Sequence, residues 1–290
     1  MIYDVRQTTA YAYASKVGYA QHVLRLTPID RRRQRVHAAA LDIAPQPAAW
    51  REGHDFFGNR TTWIALEEPH DRLVVKVAAR VAVEAAEAPG ATPAWGIIRD
   101  EVFASSDLAP TSPIHFVFAS RQVSLDAEIR SYAAESFARG RPVFEGAGEL
   151  MRRIKADFTY EIGATTVSTT PAAAFALRRG VCQDFAHTMI AGLRGLGLPA
   201  AYVSGYLRTV TRSGAATLAG ADAMHAWVLV WCGSDAGWCG FDPTNAVLAG
   251  EDHVMLALGR DYADVAPIDG VVFASGGQQL EVTVTVTPVG

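Results

Sequence analysis

The stretch Gly180-Val181-Cys182-Gln183-Asp184-Phe185 is the most informative part of the chain. Gly180 lets the backbone turn tightly, and Cys182 then begins an apolar-faced helix predicted to end near Leu196. At a helix N-terminus the dipole and the free backbone N–H groups favour a thiolate over a thiol. The same N–H groups can bind the oxyanion that forms when sulfur attacks a carbonyl. The pattern therefore predicts a nucleophilic cysteine, the alternative being a small buried cysteine near a helix start.

A histidine and an aspartate follow on predicted strands. His225 begins a strand of period two, residues 224–231, in which His225 and Trp227 share one face. Asp242 lies beyond residues 233–237, which have the composition of a hairpin loop. The hairpin would place His225 and Asp242 at the same end of neighbouring strands. Asp242 could then fix one ring nitrogen while the other faces Cys182.

Each of these residues has an ordinary structural interpretation when it is taken alone. A histidine on a strand is more often a core residue, and an aspartate before Pro243 is more often a turn residue. Together they provide a thiol at a helix start, a base and a carboxylate, which are the groups that an activated cysteine nucleophile needs.

The element pattern predicts two parts of different kind. Residues 1–86 show short period-two segments separated by turns, which favours a small all-β sandwich or barrel domain. Residues 87–125 are rich in Ala, Pro and Ser and are predicted to connect the two parts. Helices are then predicted at 126–138 and 149–157, with Thr170 as an N-cap before Pro171. Strands are predicted at 200–207, 224–231 and 238–241, so residues 126–270 read as an α+β core. A last strand within 271–290 is expected to return to one of the sheets.

Composition narrows the function classes. The 290 residues are 50% apolar and 19% charged with a net charge of −4, which argues against nucleic acid as a partner. We expect the basic run at residues 30–35 to be a solvated loop. We expect no membrane span and, from the first residues, a cytoplasmic protein. The spacing of the three cysteines indicates neither a disulfide framework nor a metal site, and we expect no cofactor.

These segments resemble the transglutaminase-like superfamily, in particular its bacterial members with an extra N-terminal β-domain. The similarity covers nearly the whole chain. It is carried by residues 179–187, 202–207, 221–227, 240–245, 250–254 and 259–265 in the core and by residues 21–28 and 55–60 in the β-domain.

The resemblance implies a papain-like core in which Cys182, His225 and Asp242 match the catalytic triad. Met224 departs from the small residue expected before the histidine. The family chemistry is attack of a thiolate on a peptide or carboxamide carbonyl, which gives a thioester and releases an amine. Water as acceptor makes a peptidase or amidase, and a lysine amine makes a cross-linking transglutaminase. We favour hydrolysis of a peptide or protein substrate, because the calcium-dependent cross-linkers of animals are larger and this chain shows no EF-hand-like loop.

Other candidates are weaker. The oxyanion could be bound by the N–H of Cys182, by Gln183 or by Tyr160, and Trp227 and Tyr206 are candidates for lining the site. A second class of function, peptide binding without turnover, is the further alternative. The oligomeric state is left open.

Overall fold

The N-terminal part of the chain is an all-β domain, as predicted. The computed structural model describes residues 1–208, 219–220 and 224–289. Residues 221–223, which belong to one of the stretches similar to the superfamily, lie outside the described residues. The first strands are β1 (Ile2–Val17), β2 (Tyr19–Leu24), β3 (Gln34–Ala44), β4 (Ala49–His54), β5 (Arg60–Leu66) and β6 (His70–Val83).

The loop expected at residues 30–35 is only partly a loop. Arg31 and Gln34 form an antiparallel bridge, and Gln34 and Arg35 already belong to β3. Strands β3 and β4 are each the last strand of a sheet, and most of their side chains are exposed or half-buried. Such edge strands lack the regular apolar alternation from which a strand is recognised in a sequence.

The segment between the two parts contains a helix that the sequence pattern did not predict. Helix α1 (Trp95–Ala104) lies inside the 87–125 connection, and a 3-10 helix follows at Pro113–Phe116. Only Ile98 and Val102 of α1 are buried, and Ala94 before it offers no capping side chain. The helix therefore carries neither a wide apolar face nor a start signal.

The core begins with helices and ends with strands, which is the α+β order expected. The helices are α2 (Ala127–Ala134), α3 (Val143–Asp157), α4 (Pro171–Leu177), α5 (Cys182–Gly195) and α6 (Tyr262–Val265). The strands are β7 (Thr159–Tyr160), β8 (Arg179–Gly180), β9 (Ala200–Leu207), β10 (Met224–Trp231), β11 (Trp238–Asp242), β12 (Val247–Leu248) and β13 (His253–Gly259). Strands β9 to β13 form one five-stranded sheet in the order β12-β11-β10-β9-β13. Helix α3 starts six residues before the predicted 149, because Gly146 and Gly148 weaken the helical pattern there.

Helix α5 lies in the centre of the core. On the predicted apolar face Phe185, Met189 and Leu193 are wholly buried and Leu196 is half-buried, and the opposite side of the helix is buried as well. The helix packs between α2, α3 and α4 on one side and strands β9 and β10 on the other. Because neighbours surround α5, its N-terminus and Cys182 are held rigidly against the sheet.

The C-terminal residues complete the N-terminal domain. Two strands return rather than one: β14 (Ile268–Phe273) pairs with β2, and β15 (Gln278–Val289) pairs with β1 over twelve residues. The domain is thus two four-stranded sheets, β15-β1-β6-β3 and β14-β2-β5-β4, built from both ends of the chain. Among the described residues, none of the helices is long and apolar enough to cross a membrane.

The open edge of the core sheet is closed by two side-chain amides from the N-terminal domain. Gln34 donates to the carbonyl of Met255 and accepts from its N–H, both at 2.7 Å. Asn59 does the same with Leu258, again at 2.7 Å in both directions. Each amide thus replaces one residue of a neighbouring strand and satisfies backbone groups of the edge strand β13.

We predict that Asn59→Ala lowers the free energy of unfolding by about 2–3 kcal/mol, because it leaves the buried N–H and C=O of Leu258 without partners. Urea unfolding at equilibrium measures the change. Gln279→Ala, at an exposed position on β15, is the control and should change stability by less than about 0.5 kcal/mol. Equal stability of the two variants would contradict the proposed edge closure.

Candidate active site

The nucleophile candidate stands at the start of the central helix. Helix α4 ends at Leu177, and Arg178 after it adopts a left-handed conformation. The chain then forms the short strand β8 before α5 begins at Cys182. The carbonyl of Val181 accepts from the N–H groups of both Asp184 and Phe185. The N–H groups of Cys182 and Gln183 precede these and have no acceptor within the helix. They are therefore placed to bind an anion beside the Cys182 sulfur.

A buried carboxylate fixes this turn. Oδ2 of Asp184 accepts from the N–H of Val181 at 2.8 Å and from the hydroxyl of Thr165 at 2.6 Å. A Cβ on Gly180 would lie 2.3 Å from that oxygen, so only glycine lets the carboxylate approach. Burial raises the pKa of Asp184, and the two hydrogen bonds oppose this effect. Gly180, two residues before Cys182, is thus required because a side chain there would block the approach of the Asp184 carboxylate. This reason is more specific than the tight turn that the sequence predicts.

The histidine and the aspartate lie together in the hairpin of β10 and β11. The hairpin pairs Val228 with Phe241, which brings the start of β10 beside the end of β11. Nε2 of His225 donates to Oδ2 of Asp242 at 3.0 Å. His225 is 2% exposed and Asp242 is 0% exposed. The indole of Trp227 stacks on the imidazole with a centroid distance of 6.3 Å, so Trp227 shields the ring as expected from their shared strand face.

The other ring nitrogen of His225 faces the nucleophile side. Nδ1 is buried and makes no hydrogen bond of ordinary geometry within the described part of the chain. Burial alone lowers the pKa of His225, but the Asp242 carboxylate and the Cys182 thiol together raise it to about 10. Burial likewise raises the pKa of Asp242, and His225 and His253 more than reverse this, so it lies well below its usual range. The pair is therefore held as imidazolium and carboxylate.

Five hydrogen bonds compensate the burial of Asp242. Oδ1 accepts from the backbone N–H groups of Thr244 at 2.9 Å and Asn245 at 3.2 Å. Oδ2 accepts from His225, from the amide of Asn245 at 2.8 Å and from Nε2 of His253 at 3.3 Å. The carboxylate is thus held by the turn that follows it and by side chains of β10 and β13.

Tyr160 lies at the border of the site. Its strand β7 pairs with β8, where it stands opposite Gly180. A Cβ on Gly220 would lie 2.9 Å from Nδ1 of His225 and 3.6 Å from the Tyr160 hydroxyl. The tyrosine and the imidazole therefore flank the same residue, which keeps Tyr160 a candidate for contacting the oxyanion.

Two other predicted site residues point elsewhere. The side-chain amide of Gln183 donates to the carbonyl of Val167 at 3.0 Å, so that only its backbone N–H is directed to the site. Tyr206 is wholly buried in the cluster between the two domains, and its hydroxyl donates to the side chain of Gln7. It does not line the site, because its strand position places it opposite Met224 on the face that β1 covers.

Asn245 and His253 are site residues that the sequence pattern did not identify. Asn245 follows Asp242 by three residues, the spacing at which a turn folds back on its first side chain. His253 begins β13 much as His225 begins β10, and a polar ring at a strand start is the signal that could have found it. No cluster of three or more metal-ligating side chains occurs among residues 1–208, 219–220 and 224–289.

Comparisons with known proteins identify the two parts. The bacterial transglutaminase-like N-terminal region matches residues 3–82, and the transglutaminase-like superfamily matches residues 130–243. An uncharacterised protein of Mycobacterium tuberculosis is 36% identical over 291 residues, covering 99% of this chain and 92% of that protein. An uncharacterised protein of Mycobacterium leprae is 30% identical over 283 residues, and the match covers 98% of this chain and 97% of that protein.

A solved structure confirms the predicted fold class. The crystal structure of a candidate cysteine protease from Cytophaga hutchinsonii superposes with a TM-score of 0.75 at 22% identity. The match covers 100% of this chain and 92% of that chain. At this level of identity the similarity shows a common fold, which includes the N-terminal β-domain as well as the core.

We predict that Asp242→Asn lowers the pKa of His225 from about 10, because it removes the carboxylate that, with Cys182, raises this pKa and leaves the burial that lowers it. The raised pKa of His225 contributes stability that is fully present below about pH 6.5 and is lost as the pH rises through about 10. Titration of ¹⁵N-labelled histidine rings by NMR measures both proteins. The exposed His54 should give the same signal in each, and an unchanged His225 titration would contradict the pairing.

We predict that His225→Gln slows alkylation of Cys182 by iodoacetamide at least about tenfold at neutral pH, because the imidazolium no longer supports the thiolate. Mass spectrometry of tryptic peptides follows each thiol over time. Cys239 is an internal control, since the hydrogen bond from Cys232 lowers its pKa independently of this site. Equal rates at Cys182 in both proteins would show that His225 does not act on the thiol.

Proposed function

Since the chain belongs to the transglutaminase-like superfamily, we propose that it is a cysteine-dependent acyl-transfer enzyme that hydrolyses peptide or glutamine carboxamide bonds. One observation carries this proposal. The imidazole of His225 is buried between the Cys182 thiol and the wholly buried Asp242 carboxylate. A thiol beside a base that is itself held by a carboxylate is the arrangement that nucleophilic catalysis by a thiol requires.

In the proposed first half-reaction the thiolate of Cys182 attacks the substrate carbonyl carbon. The carbonyl electron pair moves to oxygen, and the N–H groups of Cys182 and Gln183 stabilise the resulting oxyanion. As the tetrahedral intermediate collapses, the C–N bond breaks and Nδ1 of His225 gives its proton to the departing nitrogen. An amine or ammonia leaves, and the acyl group remains as a thioester on Cys182.

In the second half-reaction water attacks the thioester. Nδ1 of His225, now neutral, takes a proton from the water, and the C–S bond breaks to give a carboxylic acid and the thiolate. Asp242 keeps the Nε2 proton in place throughout, so that Nδ1 is the nitrogen that exchanges protons. Groups acting in this way as acid and base typically contribute about 10²–10⁴-fold in rate.

Transfer to a lysine amine is the competing outcome, because the same thioester can react with either acceptor. Hydrolysis is favoured because the sequence contains no EF-hand-like loop of the kind that calcium-dependent cross-linking would suggest. Peptide binding without turnover is less favoured, since the three catalytic positions are all filled and the pair of His225 and Asp242 is formed. A peptide or protein substrate, a cytoplasmic location and action without a cofactor remain predictions from the sequence.

We predict that the wild-type protein releases ammonia or new peptide termini from glutamine-rich casein, whereas Cys182→Ala does not. Each reaction is run with and without a labelled primary amine. Cys239→Ala is the matched control, because Cys239 is a thiol on strand β11 outside the site. Its removal should leave the activity unchanged. Incorporation of the amine that depends on Cys182 would overturn hydrolysis in favour of transamidation. Identical traces for the wild type and Cys182→Ala would contradict action on either bond of casein.

A further inference from the structure

A second histidine shares the carboxylate of Asp242. Nε2 of His253 lies 3.3 Å from Oδ2, the same oxygen to which His225 donates at 3.0 Å. The two imidazoles are 6.4 Å apart and come from different strands, β13 and β10. The proposed reaction gives His253 no proton to carry, because Asp242 and not the thiol is its partner.

The hydrogen bonds of His253 assign its tautomer. Nδ1 accepts from the N–H of Gly250 at 3.3 Å and therefore carries no proton. The proton is on Nε2, which must donate to Asp242. A ring bonded on both sides in this way cannot rotate without losing two hydrogen bonds inside the protein.

The surroundings of His253 hold it firmly. His253 is 6% exposed, and the indole of Trp227 meets its ring edge-on at a centroid distance of 5.1 Å. The preceding Asp252 is bound by the guanidinium of Arg208 at 2.7 Å and by the hydroxyl of Tyr3 at 2.9 Å. The start of β13 is thus tied both to the end of β9 and to strand β1 of the N-terminal domain.

We propose that His253 is a positioning residue that keeps the Asp242 carboxylate aligned with His225. This inference rests on the proposed function, because it assigns a role within that same site. Among the described residues, Oδ1 accepts only from backbone N–H groups next to Asp242 in sequence, so the donors from other strands act on Oδ2. At Oδ2 the amide of Asn245 donates from the same turn, and His253 on β13 is the donor from another strand besides His225 itself. Partners that orient a metal-binding side chain in this way commonly contribute about 10–100-fold, and we expect an effect of the same order here.

The role also links the two domains. The N-terminal domain binds β13 at Met255 and Leu258 through side-chain amides. Through Tyr3 it also binds Asp252, the residue before the strand. His253 stands next to Asp252 at the end of the strand closest to the site. The β-domain therefore supports the catalytic carboxylate by fixing the strand from which His253 donates.

The test compares His253→Phe, which keeps an aromatic ring but removes the donor, with His253→Gln, whose amide nitrogen can still donate to Oδ2. We expect His253→Phe to slow iodoacetamide alkylation of Cys182 about tenfold. In the ¹H NMR spectrum of His253→Phe we also expect the signal of the Nε2 proton of His225 to disappear, because that proton then exchanges with water. His253→Gln should restore the rate to within about twofold and restore the signal. His70→Phe, a buried histidine of the N-terminal domain, is the control and should behave as the wild type.

The outcomes separate this inference from the proposed function, because neither readout needs a substrate. A wild-type Cys182 whose alkylation is independent of His225 would refute the nucleophile itself. A His225-dependent wild type with an unaltered His253→Phe protein would refute the positioning role, as would a His253→Gln protein as impaired as His253→Phe. If His253→Phe does not fold, ¹⁵N NMR of the wild-type ring decides, because an Nε2 of His253 that carries no proton at neutral pH excludes the donor role.

Discussion

The buried carboxylate of Asp242 is the constraint on which the candidate site depends. Removing an ionised carboxylate from water costs several kcal/mol unless hydrogen bonds and an opposite charge replace the solvent. The turn after β11 provides three of the hydrogen bonds, and His225 and His253 provide one each. Because these donors belong to separate segments, the carboxylate can be buried only when β10, β11 and β13 have their native arrangement. Formation of the sheet and formation of the site are therefore one event.

The N-terminal domain belongs to the same structural unit as the site. Strand β13 is the outer strand of the core sheet, and its backbone groups on the open side would otherwise face the domain boundary without partners. Gln34 and Asn59 supply those partners from the β-domain. The strand that they hold carries His253 at its beginning, so the candidate site depends partly on contacts between residues 199 and 221 positions apart in the sequence.

Local signals in the sequence were sufficient where an element is set by its own residues. Thr170 caps α4 through the N–H of Ala173, as its position before Pro171 predicts, and α5 starts at Cys182. The hairpin between β10 and β11 closes where its glycines predict. No helix was predicted at α1 and no strand at β2, β3, β4, β13 or β14; of these, α1, β3 and β4 bury few side chains and show no regular period.

The sequence by itself determined the class of this protein, an all-β domain with an α+β core, and it predicts Cys182, His225 and Asp242 as the groups suited to thiol chemistry. These conclusions follow from short-range patterns and from similarity to a family. Only the tertiary structure decided that both C-terminal strands return to the first domain, that Tyr206 lies between domains and that His253 and Asn245 bind Asp242. The physical reason is that strand pairing and the hydrogen bonds to a buried charge join residues distant in sequence. A local sequence pattern does not specify which hydrogen-bond donors will lie beside the buried carboxylate.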